Sequence, residues 1–338
     1  MDMLPNSEQQ QIIDSVRGFL ADQFPLERLR DSVGADCLPE RWLAAAELGL
    51  FGMSLAEEAG GAGYGLAEEL LLHREAGRVL FSPALLAQAL AARLLTELGQ
   101  PADALISGEE RVALLAPIAG AEVGQALRGE FHVIESHLID AAGARWLLAW
   151  DMNGAALVDA AQVSAREVGS LDESLHVQRA TLDGLQSVHF LAGDGIARRA
   201  RILLAAQLVG IAEVARDMAV DYAKLREQFG QPIGAFQAVK HLCANMAVRC
   251  EAAWFQSAFA ALSAEDVAQG AAALLVASDA ANENAAANVQ IHGGMGYTAE
   301  CAAHHLVKRA RVIERLAGAG SALYPVLLGD AYAEEFVA

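Results

Sequence analysis

Residues 226–237 read Arg226-Glu-Gln228-Phe229-Gly230-Gln-Pro-Ile-Gly-Ala-Phe236-Gln237, and residues 290–297 read Gln290-Ile-His292-Gly293-Gly294-Met-Gly-Tyr297. The 53 positions from Gln237 to Gln290 leave room for two antiparallel helices, which would bring both motifs to one place. A dinucleotide phosphate needs a permanent cation, amide side chains, and glycines that let backbone N–H groups come close. The two motifs together supply all three.

Within the first motif we expect Arg226 near a helix C-terminus, Phe229-Gly230 in a turn, and Phe236-Gln237 at the start of the next helix. An arginine at such a corner can hold a pyrophosphate through two parallel hydrogen bonds, and Phe229 or Phe236 can cover an adenine ring. Taken singly, the first motif is equally compatible with a helical hairpin carrying a surface arginine. The second is equally compatible with a helix C-cap. The functional prediction therefore depends on their combination.

The composition favours a folded, mainly helical chain. It has 338 residues, 54% of them hydrophobic, and only 8 prolines. No uncharged apolar run reaches the roughly 18–20 residues that a membrane span needs, and the first residues do not resemble a secretion signal, so we expect a cytoplasmic protein. The net charge of −19 argues against nucleic-acid binding. The four cysteines have no zinc-binding spacing, and we expect no metal.

Three regions differ in the length and spacing of their apolar runs. We predict an N-terminal helical domain over residues 1–107, a small antiparallel β domain over 108–190, and a C-terminal four-helix bundle over 191–338. The bundle helices are predicted at 202–225, 236–259, 267–289 and 305–316, and the apolar runs 79–92 and 316–329 read as buried helices. The predicted strands include residues 112–116, 131–134, 146–150 and 156–158.

The two motifs, in this order and behind such an N-terminal half, resemble the acyl-CoA dehydrogenase family. Further stretches carry the resemblance along nearly the whole chain: Glu47-Leu-Gly49-Leu50, Glu75-Ala-Gly77-Arg78, Leu171-Asp172-Glu-Ser174 and Arg201-Ile-Leu-Leu-Ala-Ala206. The resemblance implies an FAD enzyme that oxidises an acyl-CoA thioester to the 2,3-enoyl-CoA, with a glutamate as base.

The resemblance also implies which residues contact the ADP half of FAD. They are Arg226, Gln228, Phe229, Phe236, Gln237, Gln290, Gly293 and Gly294. In this family such residues reach a flavin held mainly by the neighbouring subunit, so the resemblance implies an oligomer, a homo- or heterotetramer.

The chain departs from the family at the base. One family position for the glutamate is occupied by Ala317 in Ala317-Gly318-Ala319, and the other by Ala200. A methyl group cannot take a proton. The segments that usually hold the flavin ring are also replaced, by Leu115-Ala-Pro117-Ile-Ala-Gly120-Ala-Glu122 and by His137-Leu-Ile-Asp-Ala-Ala-Gly143.

Loss of the chain's own ring site, with retention of the residues that it lends to a neighbour, predicts a partner chain. We therefore expect a second acyl-CoA dehydrogenase subunit that carries the glutamate, as in the heteromeric α2β2 enzymes of bacterial steroid side-chain degradation. Electron-transfer flavoprotein is a further partner that the resemblance allows. Two alternatives stay open: a self-sufficient homodimer with a displaced base, such as Glu314 or Glu300, and a non-redox acyl-CoA-binding or scaffold homologue.

Overall fold

The structure, a computed structural model, describes residues 3–30, 35–118, 134–182, 187–318 and 323–328. The α-helices are α1 (Ser7–Gln23), α2 (Pro39–Glu47), α3 (Leu66–Arg78), α4 (Ala84–Glu97), α5 (Asp103–Ile106), α6 (Gly195–Leu225), α7 (Gln237–Leu262), α8 (Val267–His292), α9 (Ala303–Leu316) and α10 (Tyr324–Leu328). The strands are β1 (Val112–Pro117), β2 (Ile134–Ile139), β3 (Trp146–Trp150), β4 (Gly154–Asp159), β5 (Ala165–Glu167), β6 (Val177–Leu182), β7 (His189–Ala192), β8 (Glu227–Gln228) and β9 (Gln231–Pro232). The fold is thus mainly helical around a central sheet, as predicted.

The chain forms two compact units. The helical unit comprises residues Met1–Asp31, Leu70–Phe81 and Arg201–Ala338, and the sheet unit comprises Ser32–Glu69 and Ser82–Ala200. The three-domain division with boundaries at residues 107 and 190 stays a prediction.

In the helical unit, the four predicted bundle helices are α6 to α9. Apolar residues at helical spacing bury one side of each helix, which is why these long segments are helical. The fully buried Asn284 of α8 links three of them, because its amide donates to the carbonyls of Met246 (3.0 Å) and Ala212 (3.2 Å). A buried amide with such partners fixes the helices in register.

The sheet unit contains a seven-stranded sheet in the order β5-β6-β2-β1-β3-β4-β7. Four of its strands cover or adjoin predicted ones, although residues 131–133 of one prediction lie outside the described residues. The expectation of a purely antiparallel sheet is wrong in one place, since β1 and β3 are parallel. The reason is topological: β2 returns antiparallel on one edge of β1, and β3 then pairs with its other edge.

Two predicted helices are interrupted. The run 79–92 is not one helix, because α3 ends at Arg78, Leu80 has a positive φ of 53°, and α4 begins at Ala84 after Pro83. Proline suits that place because it lacks the N–H that a helix interior requires. The run 316–329 is interrupted at Gly318, which has a φ of 65°. A glycine in this left-handed conformation commonly ends a helix. Residues 319–322 and 329 lie outside the described part.

None of the described helices combines the length and the apolarity that crossing a membrane would require.

Candidate cofactor site

The first motif forms a tight β-hairpin directly after α6. The Arg226 N–H donates to the Tyr222 carbonyl at 2.8 Å as the helix ends. Glu227–Gln228 then pairs antiparallel with Gln231–Pro232, and Phe229 and Gly230 form the turn with positive φ values of 54° and 80°. Two-residue hairpin turns with positive φ at both positions match the twist of the strands, and glycine adopts them without strain. The turn predicted at Phe229-Gly230 is therefore confirmed as part of a hairpin.

Phe229 is the most exposed large apolar side chain of the described residues, at 93%. A bulky residue in the left-handed region costs roughly 1–2 kcal/mol, so this position carries strain as well as exposure. Its ring lies edge-on to that of Phe236, with centroids 6.1 Å apart. Neither burial nor ordinary turn preference accounts for an aromatic ring here.

The second motif forms the end of α8 and the turn behind it. Gly293 has a φ of 60° and a ψ of −137°, a combination open to glycine and rarely to other residues. A Cβ at Gly296 would lie 2.9 Å from the Val289 carbonyl, so packing requires glycine there. A Cβ at Gly293 or Gly294 would meet no atom within 4 Å. The backbone at Gly293-Gly294 is therefore open to a ligand.

Both motifs lie together in the helical unit. α7 and α8 have 26 residues each and run antiparallel, joined for example by the Arg249–Glu283 ion pair. The rings of Tyr222 and His292 stack with centroids 4.2 Å apart and an angle of 24°. The helical hairpin that the 53-residue separation predicted thus brings the two motifs to one corner.

At this corner, six of the eight predicted contact residues are exposed polar or glycine residues: Arg226, Gln228, Gln237, Gln290, Gly293 and Gly294. Among the described residues no carboxylate forms an ion pair with Arg226. A guanidinium with no carboxylate partner among these residues, at a corner that also holds open glycine backbone, has the chemistry that a pyrophosphate needs. The residues therefore fit the ADP half of FAD, although their roles stay predictions.

The two family positions of the base carry methyl groups in different surroundings. Ala200 on α6 has no exposed surface, whereas the half-buried Ala317 caps the C-terminus of α9. Next to Ala200, the Arg199 guanidinium pairs with Glu69 of the sheet unit, and burial lowers the pKa of Arg199. Ala319, the last residue of the Ala317-Gly318-Ala319 turn, lies outside the described residues.

Glu314, one of the two candidates for a displaced base, takes part in two side-chain hydrogen bonds. Its carboxylate accepts hydrogen bonds from the Asn282 amide at 3.0 Å and from the Arg311 guanidinium at 2.9 Å. Both donors bind the same carboxylate oxygen, Oε2. Glu300 is exposed and lies just after the glycine turn.

Residues 137–143, which replace the second segment that usually holds the flavin ring, are held by contacts within the sheet unit. Leu138 and Ile139 are buried, and the Asp140 carboxylate accepts hydrogen bonds from the Ser82 hydroxyl and from the His176 N–H at 3.0 Å. Of the first stretch, residues 119–122 lie outside the described residues. Degradation of the ring site stays a prediction.

The Tyr222–His292 stack was not predicted. His292 lies inside the second motif, whereas Tyr222 lies outside both motifs. The signal for Tyr222 was its position four residues before Arg226, about one helical turn from the start of the first motif.

The fold and this corner define a class of flavin-dependent oxidoreductases. The chain belongs to the acyl-CoA dehydrogenase family, whose C-terminal domain model matches residues 195–323 and whose N-terminal domain model matches residues 6–103. Members of this family use FAD to oxidise acyl-CoA thioesters.

The chain is similar to two acyl-CoA dehydrogenases of Mycobacterium tuberculosis. It is 31% identical to IpdE2, over 91% of this chain and 92% of IpdE2. It is 37% identical to FadE34, over 82% of this chain and only 40% of FadE34. Among solved structures, the steroid ACAD Tcur3481-Tcur3483, as its G363A variant, superposes with a TM-score of 0.81 at 26% identity. That match covers 98% of this chain and 99% of the other.

Proposed function

We propose that this chain is one subunit of a heteromeric acyl-CoA dehydrogenase. It contributes residues for the ADP half of FAD, and a partner subunit supplies the catalytic glutamate. The reaction is the α,β-desaturation of an acyl-CoA thioester to the 2,3-enoyl-CoA, with electron-transfer flavoprotein as the electron acceptor.

The exposed corner of the helical unit is the observation that carries this proposal. Phe229 is 93% exposed in a strained turn, Arg226 directly precedes that hairpin, and the Gly293-Gly294 backbone at the same corner is open. A surface that offers an aromatic ring, a cation and open backbone suits a ligand that extends onto another chain. Such a residue set is costly to keep on a surface without a ligand.

Each residue at the corner has a definite task in this proposal. Arg226 binds the pyrophosphate through two parallel hydrogen bonds, and Phe229 or Phe236 covers the adenine. The amides of Gln228, Gln237 and Gln290 offer donors and acceptors. Bound FAD supplies the site that accepts a hydride from the β-carbon.

The state of the carboxylates supports a base from outside the chain. Removal of the proton next to the thioester carbonyl needs a side chain that can accept it. Ala200 and Ala317 cannot, and Glu314 is engaged by Asn282 and Arg311.

Helix α7 supports an assembly. Its inner side is buried in the bundle, yet Val248, Phe255 and Leu262 recur at every seventh position on its outer side and are exposed. A helix that is apolar on two sides is typical of one covered on both. The same outer side begins at Gln237, so a subunit that completes the flavin site would also cover this stripe.

The relatives support the substrate class. The steroid ACAD Tcur3481-Tcur3483 is similar over nearly the whole length of both chains. We therefore propose a steroid side-chain acyl-CoA as substrate.

Expression of the chain alone, and together with an acyl-CoA dehydrogenase chain from the same genome that retains its glutamate, tests this function. We expect little flavin in the lone chain, and in the complex a stoichiometric FAD content and acyl-CoA oxidation with an artificial acceptor. Arg226→Ala should remove most of the FAD, and Arg226→Lys, which keeps the charge but not the paired hydrogen bonds, should remove less.

Full FAD occupancy and turnover by the lone chain would contradict the heteromer. Loss of that turnover in Glu314→Gln would then support the self-sufficient homodimer. A complex without flavin absorbance would instead support the non-redox homologue.

A further inference from the structure

The two motifs of the candidate site meet through a pair of stacked rings, Tyr222 of α6 and His292 of α8. Their centroids are 4.2 Å apart and their planes differ by 24°, which is close stacking. His292 is buried, with 9% of its surface exposed, whereas Gln290, Gly293 and Gly294 around it are exposed. The imidazole therefore lies beneath the exposed residues that are predicted to contact FAD, and not among them.

Each ring is attached directly to one motif. The Tyr222 carbonyl accepts the Arg226 N–H at 2.8 Å, the last helical hydrogen bond before the hairpin. His292 immediately precedes Gly293, and the turn folds back on it, since a Cβ at Gly296 would lie 3.2 Å from the His292 Cβ. A shift of one ring against the other would thus move the hairpin relative to the glycine turn.

The imidazole is also held by a hydrogen bond within its own helix. Its Nδ1 lies 2.9 Å from the carbonyl oxygen of the buried Asn288. A carbonyl can only accept, so Nδ1 carries the hydrogen. This bond and the stack together leave the ring one orientation.

We propose that Tyr222 and His292 are positioning residues, whose stack sets the spacing between Arg226 and the Gly293-Gly294 backbone for the ADP half of FAD. This inference rests on the proposed function. A pyrophosphate bound by both motifs needs them at a fixed separation, and a preformed separation lowers the ordering cost of binding. Neither ring needs to touch the ligand for this effect.

Binding of ADP to the full-length chain, measured by calorimetry, tests the pair. Tyr222→Leu and His292→Ala should each weaken ADP binding about 3- to 10-fold, the range of an aromatic pair. Tyr222→Phe keeps the ring and removes a hydroxyl that has no hydrogen-bond partner among the described residues, so it should bind like the unaltered chain. The double variant of Tyr222→Leu and His292→Ala should bind ADP no more weakly than the single variant that binds it less well. The reason is that both substitutions remove the same interaction.

Phe81→Leu is the matched control. Phe81 packs against Phe24 in the same helical unit, with centroids 4.5 Å apart and an angle of 48° between the rings, and both rings are buried. Its loss should lower the thermal unfolding midpoint of the ligand-free protein without changing ADP affinity. A loss of affinity in Phe81→Leu as large as in Tyr222→Leu would reduce the pair to general packing and overturn the inference.

The outcomes separate this inference from the proposed function. If the unaltered chain binds ADP and Arg226→Ala abolishes binding, but Tyr222→Leu and His292→Ala bind normally, the positioning role is wrong and the site stands. An equal loss in Tyr222→Phe and Tyr222→Leu would also overturn it, because the hydroxyl and not the stack would then matter. No ADP binding by the unaltered chain, either alone or in the coexpressed complex, would remove both the site and the pair.

Discussion

Phe229 combines a left-handed backbone with a side chain that is almost fully in solvent. Asparagine tolerates this backbone far better than phenylalanine. We predict that Phe229→Asn raises the free energy of unfolding by about 1 kcal/mol, since a left-handed L-residue costs roughly that much. The same change should weaken FAD or ADP binding about tenfold through loss of base stacking.

Phe229→Leu is the control, because it keeps the strain and removes the ring. Urea unfolding and ADP calorimetry on both variants should show a loss of affinity in each and a gain in stability only in Phe229→Asn. Unchanged affinity in both would mean that the ring is not part of the site.

Cys250 makes stability depend on pH at the alkaline end. Burial raises the pKa of this thiol to about 12, and the Asn284 amide lies 3.3 Å from its sulfur. In the unfolded chain the pKa of the thiol is about 8.5. The folded state therefore holds the proton more tightly, and the thiol disfavours folding increasingly as the pH rises from about 8.5 towards 12.

The slope expected from one such thiol is at most about 1.4 kcal/mol per pH unit. Unfolding of the unaltered chain and of Cys250→Ala at pH 8 and pH 10 should show a smaller alkaline loss in the variant. Equal losses in the two proteins would assign the effect to other groups.

At the scale of elements, α3 and α6 approach closely at a glycine. A Cβ at Gly210 would lie 2.0 Å from the Arg74 carbonyl oxygen and 2.8 Å from the Arg78 nitrogen, both backbone atoms. Gly210→Ala must therefore push the helices apart, and we predict a loss of at least about 2 kcal/mol in unfolding free energy.

Gly270→Ala in α8 is the matched comparison. Its Cβ would make an ordinary contact, 3.6 Å from Ile202. We predict a gain of about 0.5–1 kcal/mol from the greater helix propensity of alanine. Thermal or urea unfolding of the two variants should give opposite signs, and a similar effect in both would contradict the close approach.

The long helices and the β3 strand could be predicted because their apolar patterns are local. β6 could not, since its residues are half-exposed and polar ones such as Gln178 and Arg179 interrupt it. The break at Leu80 depends on a backbone angle that leucine rarely adopts. At the site, the motif residues could be read directly. Tyr222 could not, because its contact with His292 joins residues far apart in the chain.

At the scale of the whole molecule, the outer stripe of α7 tests the assembly. Val248 is 68% exposed in this stripe, and Val188 of the sheet unit is 49% exposed elsewhere. We predict that Val248→Lys weakens the complex with the partner subunit about tenfold or more, because a buried charge without a partner opposes association. Val188→Lys should leave it unchanged.

Light scattering and native mass spectrometry of the coexpressed proteins give the stoichiometry in each case. Intact complexes with both variants would place the partner on another surface. An effect of Val188→Lys equal to that of Val248→Lys would indicate a general effect of added charge.

The hairpin at Phe229 also bears on how a gene of this kind is inherited. In the proposed complex, selection acts on this residue through the product of a second gene. Once that gene is lost, nothing offsets the backbone strain, and substitution by asparagine or glycine becomes favourable. We therefore expect genomes to keep or lose the two genes together. Where the partner gene has been lost, we expect the remaining gene to acquire substitutions first at position 229.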